Sequence, residues 1–281
     1  MQKAVLLLAL AGLSACGSQS EEVADQQAEV KPAQLTFDGA DYKDEAAKIA
    51  HGKRLASVLD CTGCHGENLQ GTNVTKDDPA YGDMNAPNIT LMLAKYSDAD
   101  LDQLIRHGKP KGGREFWFMP VESLQFLSDA DLAALIAYLR TFKPAGEQRP
   151  PIRKGPKFLK DVENGLYGNA QQQIARYQRE SPPDMGASHK WGRHLARTVC
   201  TPCHNSQLQG YADFTPDLDI AGAYTPAELE TLLTTGKGKS KPDLGLMAMV
   251  AKNSLSKLTS RERAAIIAYV QARANRPQNP Q

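Results

Sequence analysis

Residues Cys61-Thr-Gly-Cys64-His65-Gly-Glu-Asn-Leu69-Gln70-Gly71 return later in the chain as Cys200-Thr-Pro-Cys203-His204-Asn-Ser-Gln-Leu208-Gln209-Gly210. The two stretches agree at seven of eleven positions, including both cysteines and the histidine. Two further pairs of segments match at offsets of 128 and 131 residues, compared with 139 for the cysteine motif. This self-similarity predicts two copies of one structural unit that differ by loop insertions.

Both copies carry helix signals and no convincing strand signals. Four sequences of the form Ser/Thr-x-x-Asp/Glu, each able to cap a helix start, precede segments with helical apolar spacing; they begin at Ser97, Ser128, Thr225 and Thr259. One apolar face is complete in the segment with Leu132, Leu135, Ile136 and Leu139. The sequence therefore predicts an all-α protein built from two helical units.

The Cys-x-x-Cys-His motif has a specific chemistry. Two thiols on one helical turn face the same way, so both can bond the vinyl groups of one porphyrin edge and place the next residue under the iron. The motif predicts two covalently attached haem c groups with their iron. Cys61, Cys64, Cys200 and Cys203 would attach them, and His65 and His204 would bind the metal.

Two other uses of paired cysteines fit this chain poorly. A thioredoxin-like dithiol belongs in a βαβ context, which the helical pattern does not offer. A zinc ribbon places its cysteine pairs roughly 15–20 residues apart. Here the pairs are separated by about 135 residues. Haem attachment is the interpretation that accounts for both motifs and for their matched helical surroundings.

With these motifs, both units resemble class I cytochrome c domains, and the chain resembles bacterial dihaem cytochrome c lipoproteins. The resemblance covers about residues 46–145 and 186–275 and implies that each domain is a small helical bundle around a covalently attached haem. It leaves residues 146–185 as an interdomain linker and 276–281 as a tail. Whether the linker straps the domains together or only spaces them is left open.

The resemblance also implies a methionine as the sixth iron ligand of each domain. Met119, followed by Pro120 and eight residues before Leu127, is expected in the first. The second offers Met247, which we favour, and Met249 as the alternative. Histidine–methionine ligation raises the reduction potential. The remaining histidines are expected to be solvated or in the core; they are His51, His107, His189 and His194.

The fifth cysteine belongs to an export signal. Lys3, an apolar run from Ala4 to Leu13 and small residues before Cys16 are typical of a secretory signal, and ten apolar residues span about 15 Å, too short to cross a membrane. Leu13-Ser14-Ala15-Cys16 resembles a lipobox. This predicts a signal peptide at 1–15, lipidation of Cys16, a flexible acidic tether at 16–45 and an anchored protein on the periplasmic side of a bacterial membrane. The alternative is a soluble periplasmic protein.

The overall charge excludes one class of partner. The chain has 33 basic and 32 acidic residues, so no strong field marks it for nucleic acid. Basic loops precede both proposed methionine ligands, and Lys109, Lys111, Lys237 and Lys239 are predicted to steer an acidic redox partner. The alternatives are an ordinary solvated loop or a counter-charge for the haem propionates.

The function expected from these features is single-electron transfer between periplasmic or membrane redox partners, with no substrate bond broken. One alternative is a dihaem redox enzyme of the peroxidase kind, which needs an iron with a removable ligand, whereas each unit here offers a methionine. The other is a cytochrome subunit of a membrane-associated dehydrogenase.

Overall fold

The computed structural model describes residues 34–277. The predicted signal peptide, Cys16, the first part of the predicted tether and the last four residues of the tail lie outside them. Within the described range the chain is helical, with one two-stranded antiparallel sheet formed by β1 (Gly82–Asp83) and β2 (Arg153–Lys154). The prediction of an all-α fold is confirmed. None of the helices in this range is both long enough and apolar enough to cross a membrane.

The helices follow one order in both halves of the chain. The first half has α1 (Glu45–Val58), α2 (Cys61–His65), α3 (Ile89–Leu93), α4 (Asp98–Ile105), α5 (Val121–Leu124) and α6 (Asp129–Leu139). Between the halves lie α7 (Pro156–Glu163) and α8 (Ala170–Arg179). The second half has α9 (Lys190–Val199), α10 (Thr201–His204), α11 (Pro226–Thr235), α12 (Leu246–Asn253) and α13 (Ser260–Ala274). Short 3-10 helices occupy Ala187–His189, Leu218–Ala223 and Leu255–Lys257.

The four predicted helix caps are confirmed. The side chains of Ser97, Ser128, Thr225 and Thr259 each accept a hydrogen bond from the backbone N–H three residues later. These caps begin α4, α6, α11 and α13, so short local sequence signals set the starts of two helices in each half.

Two glycines allow the closest helix crossings. α1 packs against α6, and α9 packs against α13 in the same way. A Cβ on Gly52 would lie 1.9 Å from the Ala134 carbonyl oxygen, and one on Gly192 would lie 2.1 Å from that of Ala265. Both crossings therefore need a residue without a side chain, and their equivalence shows that the repeat extends to helix packing.

Replacing Gly52 with alanine is expected to destabilise the holoprotein by about 1–3 kcal/mol, because the new methyl group overlaps backbone and must push α1 away from α6. Gly192→Ala should behave alike. Gly222→Ala is the matched control, since its Cβ would meet only side-chain atoms, the nearest at 3.2 Å. Urea unfolding followed by circular dichroism measures all three. Equal stability of the Gly52 and Gly222 variants would contradict this packing.

The end of the predicted tether is packed structure. Phe37 is only 1% exposed and belongs to the hydrophobic core. Its backbone N–H donates to Asp131 Oδ2 (3.1 Å), and the next N–H, that of Asp38, donates to Glu262 Oε1 (2.8 Å). Asp131 lies in the first turn of α6, the last helix of the first half, and Glu262 lies in the first turn of α13, the last helix of the second. Residues near 37 thus bind both halves, through the buried Phe37 ring and these two backbone N–H groups.

The segment between the halves also contacts both. β2 pairs with β1 of the first half, Phe158 of α7 is fully buried, and α8 packs on α5. At its far end, the buried Tyr177 hydroxyl donates to the Thr201 carbonyl of the second half at 3.0 Å. These contacts are those of a strap, which was one of the two roles the sequence left open.

The two halves contact each other through equivalent elements. α5 of the first half packs on α9 and α10, and Leu255–Lys257 of the second half packs on α1. Arg197 of α9 lies 3.5 Å over the Phe126 ring, and Arg54 of α1 donates to the Lys257 carbonyl. The segment that follows each proposed methionine ligand therefore packs against the helix that leads into the other half's cysteine motif.

Candidate functional site

Each cysteine pair lies on a single helical turn. Cys61 and Cys64 belong to α2, while the His204 N–H donates to the Cys200 carbonyl at 3.0 Å and closes the equivalent turn. All four cysteines are free thiols in this structure. The sequence predicted both thiols of a pair on one turn beside the histidine, and the backbone has this arrangement at both motifs.

The environment of the thiols disfavours dithiol redox chemistry. Burial, followed by the charges of Cys64 and Asp60, raises the pKa of Cys61 to about 12, and burial raises that of Cys200 to about 12. A thiol that exchanges disulfides needs the opposite shift, towards the thiolate. Among residues 34–277, no group of three or more His, Cys, Asp and Glu side chains could hold a metal ion, which leaves a zinc ribbon without a ligand set.

Both motif histidines are oriented for metal binding. His65 Nδ1 lies 2.9 Å from the Pro87 carbonyl oxygen, and His204 Nδ1 lies 2.9 Å from that of Pro216. Because a carbonyl only accepts, Nδ1 carries the proton and Nε2 keeps the lone pair that binds a metal. Burial lowers the pKa of both imidazoles, which favours the neutral form. The cysteine and histidine donors present therefore fit a covalently attached haem.

Two hydrogen bonds recur in the loop after each motif. The N–H groups of Gly71 and Gly210 donate to the carbonyls of His65 and His204, at 2.7 and 2.9 Å. Thr72 and Thr215 donate their hydroxyls to the carbonyls of Cys64 and Cys203, at 2.6 and 2.5 Å. Two independent stretches of sequence thus build the same local geometry.

Sequence reasoning missed the two prolines that orient the histidines. Their signal was present: Pro87-Asn88-Ile89 and Pro216-Asp217-Leu218 match at an offset of 129 residues. In both, the apolar residue's N–H donates to a leucine carbonyl of the motif loop at 2.9 Å. A comparison of the repeats beyond the cysteine stretch would have found the pattern, but its carbonyl role depends on the tertiary fold.

The candidate methionines differ in burial. Met119 is half-buried and packs against the main core and against the smaller cluster around Val121. In the second half, Met247 is half-buried and packs on the core, whereas Met249 is 53% exposed. The direction of α12 therefore favours Met247 over Met249 as an inward-facing ligand.

The other histidines have contacts of their own. His51 Nε2 lies 2.8 Å from Asp131 Oδ1 in the core, and His189 Nδ1 lies 3.1 Å from the Met185 carbonyl. Burial lowers the pKa of His194 to about 4. His107 is exposed. These surroundings agree with solvated or core roles for all four.

Two of the four predicted docking lysines are tied to their own domain. Lys111 Nζ lies 3.2 Å from Asp100 Oδ2, and Lys239 Nζ lies 3.3 Å from Glu228 Oε2. Each acid is also the capping residue in the first turn of α4 or α11. These ion pairs therefore hold the loops that precede Met119 and Met247 against α4 and α11. Lys109 and Lys237 are exposed and form no ion pair within residues 34–277.

Each half of the chain matches a cytochrome family model. The family model "Cytochrome c" matches residues 49–143, and "Cytochrome C oxidase, cbb3-type, subunit III" matches residues 187–270. Together the two matches include both cysteine motifs and both candidate methionine segments.

Curated relatives are components of dehydrogenases. A nicotinate dehydrogenase subunit from Pseudomonas putida is 27% identical over 178 residues, covering 57% of this chain and 14% of the relative. The fructose dehydrogenase cytochrome subunit of Gluconobacter japonicus is 25% identical over 259 residues, covering 80% and 52%. The gluconate 2-dehydrogenase cytochrome c subunit of Pantoea cypripedii is 22% identical over 277 residues, covering 83% and 61%.

The chain spans between 14% and 61% of the length of these three relatives, so the resemblance concerns only part of each of them. The two family matches and the helical structure agree on the architecture. The chain carries two cytochrome c-type domains in tandem, the architecture of an electron-transfer cytochrome.

Proposed function

We propose that this protein is a dihaem c-type cytochrome that carries single electrons between periplasmic or membrane redox partners. The observation that supports this most is the twofold occurrence of one site: a cysteine pair and histidine on one turn, with the histidine held by a proline carbonyl. When bound, haem c supplies a one-electron iron couple. Cys61 and Cys64 would attach the first group, and Cys200 and Cys203 the second.

In each domain, two protein side chains would bind the iron and leave it no free position for a substrate. His65 and Met119 would bind the iron in the first domain, and His204 and Met247 in the second. The proline carbonyls fix the histidine rings and raise their basicity. Two protein ligands on each iron favour electron transfer over bond chemistry at the metal.

We propose that the protein is the cytochrome component of a membrane-associated dehydrogenase. Two of the relatives are named as cytochrome subunits of fructose and gluconate 2-dehydrogenases, and this supports the class of partner. A lipid anchor on Cys16 would hold the chain at the periplasmic face of the membrane. A soluble periplasmic protein is the alternative.

Stopped-flow oxidation of the reduced holoprotein separates a carrier from an enzyme. Ferricyanide, a one-electron oxidant, is expected to remove two electrons per chain, one from each haem. Hydrogen peroxide is expected to leave both haems reduced on the same timescale, because neither iron has a free position. Rapid oxidation and turnover with peroxide would favour the dihaem enzyme instead.

Substituting the two methionines of α12 tests the ligand assignment. Met247→Ala is expected to abolish the methionine–iron charge-transfer band of one haem and to lower its midpoint potential, since methionine ligation raises the potential. Met249→Ala, the matched control one half-turn away and 53% exposed, should leave both unchanged. The reverse pattern in the visible spectra would assign the iron to Met249.

Of the four predicted docking lysines, Lys109 and Lys237 remain candidates because they form no ion pair within residues 34–277. Changing Lys109 and Lys237 to glutamine is expected to slow electron exchange with an acidic redox protein several-fold at low salt, with the difference vanishing at high salt. Lys111→Gln and Lys239→Gln should act differently, loosening the methionine loops and so shifting the haem potentials. Salt-independent rates in the first pair would remove the docking role.

A further inference from the structure

One face of the second domain is open where the same face of the first is covered. An offset of 128 residues relates Met119 to Met247, and with it Val121 to Met249 and Gly108 to Gly236. Val121 is fully buried, whereas Met249 is 53% exposed. Leu246, one turn earlier on the same side of α12, is 46% exposed.

The cover on the first domain is α8 of the linker. Ala170 and Ile174, four residues apart on one face of that helix, pack with Val121 in a small cluster. A Cβ on Gly108 would lie 2.7 Å from Ala170 Cβ and 3.3 Å from Ile174 Cδ1. The Gln171 amide donates to the His107 carbonyl at 2.8 Å, just beyond the end of α4. An amphipathic helix thus fills the groove between α4 and α5.

The equivalent position of the second domain lies between α11 and α12. The three atoms nearest to a Cβ on Gly236 would all belong to Ala248 of α12 itself, the closest at 2.6 Å. α12 therefore closes over this glycine, and Leu246 and Met249 lie exposed on α12. Scattered surface apolar residues are common, but two exposed neighbours on one helix face, beside a position that α8 covers in the first domain, are typical of a binding surface.

The charges around Leu246 and Met249 indicate the occupant. Residues 236–253 contain four lysines and one acidic residue, Asp243. Lys239 is paired with Glu228, while Lys237 follows Gly236 and Lys252 lies one turn after Met249; Lys237 and Lys252 are both exposed. A helix that binds here would place apolar residues on α12 and acidic residues beside the lysines.

We propose that the α11–α12 face of the second domain binds an acidic, amphipathic helix of a separate redox protein, as α8 binds the equivalent face of the first domain. This rests on the proposed electron-transfer function. Since Met247 lies on α12 between Leu246 and Ala248, the partner docks beside the second iron site. The second domain therefore exchanges electrons with this partner, while the same face of the first is closed by the protein's own linker.

Site-specific photo-crosslinking of the full-length holoprotein, in membranes of the cells that produce it, tests the proposal. Leu246 is replaced by p-benzoylphenylalanine; the matched control places the same residue at Leu159 of α7, which is 52% exposed. We expect the Leu246 adduct to map to one helical segment of another polypeptide, with apolar residues three or four apart and acidic neighbours. The control should not form it.

A charge-reversal variant tests whether the lysines beside Leu246 and Met249 contribute to partner binding. Lys252→Glu is expected to lower the yield of the Leu246 adduct at least fivefold, and Lys160→Glu on the exposed side of α7 should not. The proposal is overturned by adducts on residues 1–33 of the same chain, on a second copy of this chain, or on a segment without the acidic helical pattern. It is equally overturned by a yield no higher than at Leu159.

The haem spectra and midpoint potentials of the same samples distinguish a failure of the docking surface from a failure of the proposed function. Two intact haem spectra and unchanged midpoint potentials, with no partner adduct, would remove the docking surface and leave the dihaem carrier. Wild-type protein with fewer than two haems would instead remove the proposed function on which the surface depends.

Discussion

Protein with all four motif cysteines replaced by alanine is expected to lack haem and to be largely unfolded. Each cytochrome domain has about 90–100 residues, a size at which a core is marginal, and a covalently held macrocycle would supply much of the apolar surface. Cys61, Cys200, Met119 and Met247 already pack against the hydrophobic core. Circular dichroism should show lost helicity, and urea should produce no cooperative transition.

The control for this experiment is Cys16→Ala, which also removes a thiol but leaves both haem motifs intact. It should retain two haems and unfold cooperatively. Replacing only Cys200 and Cys203 should leave one haem, a folded first domain and a second domain with weakened packing. Cooperative, native-like unfolding of the haem-free protein would show that the polypeptide alone forms the core.

Replacing Arg54 with alanine is expected to destabilise the holoprotein by about 3–5 kcal/mol, since it leaves a buried carboxylate without its cation. The guanidinium of Arg54, on α1, donates to both oxygens of Glu262 at 2.7 and 3.0 Å. Glu262 is fully buried at the start of α13 and also accepts the N–H groups of Asp38 and Thr259. The substitution thus removes a contact between the two domains.

Arg153→Ala is the matched control, because Arg153 pairs with Asp83 at 2.7 Å but both side chains are exposed. It should cost at most about 1 kcal/mol. Guanidinium chloride unfolding followed at the two haem bands measures both variants, and we expect the Arg54 variant to separate into two transitions. A loss below about 1 kcal/mol for Arg54→Ala would mean that this ion pair does not join the domains.

Much of the fold was predictable because its signals are local. A Ser/Thr cap and an acid three residues later begin α4, α6, α11 and α13, and the cysteine motif predicts one helical turn wherever it occurs. The repeat then adds that both halves share one architecture. Each of these signals spans a few residues and needs no knowledge of distant parts of the chain.

What could not be predicted depends on contacts between distant residues. Phe37 lies in a mostly polar segment, and only the fold shows that it is buried in the core and that its N–H reaches Asp131. Lys111 and Lys239 belong to a basic pattern, yet each forms an ion pair with a capping acid. Val121 and Met249 occupy equivalent positions, but only the position of α8 makes one buried and the other exposed.

The candidate site likewise combines residues that the sequence predicts with contacts that only the fold reveals. The cysteines and the histidines were identified from the motif, and the structure adds the proline carbonyls that orient the rings. The sequence favoured Met247 and left Met249 as the alternative. The helix that carries them turns one inward and the other outward, which is a property of α12 packing on α11.

Low-temperature electron paramagnetic resonance of the oxidised holoprotein, combined with a redox titration and a haem count, tests the central claim most directly. We expect two haems per chain, two low-spin signals of the histidine–methionine kind, and two one-electron steps. One haem per chain, or a high-spin iron that binds an added ligand readily, would contradict it.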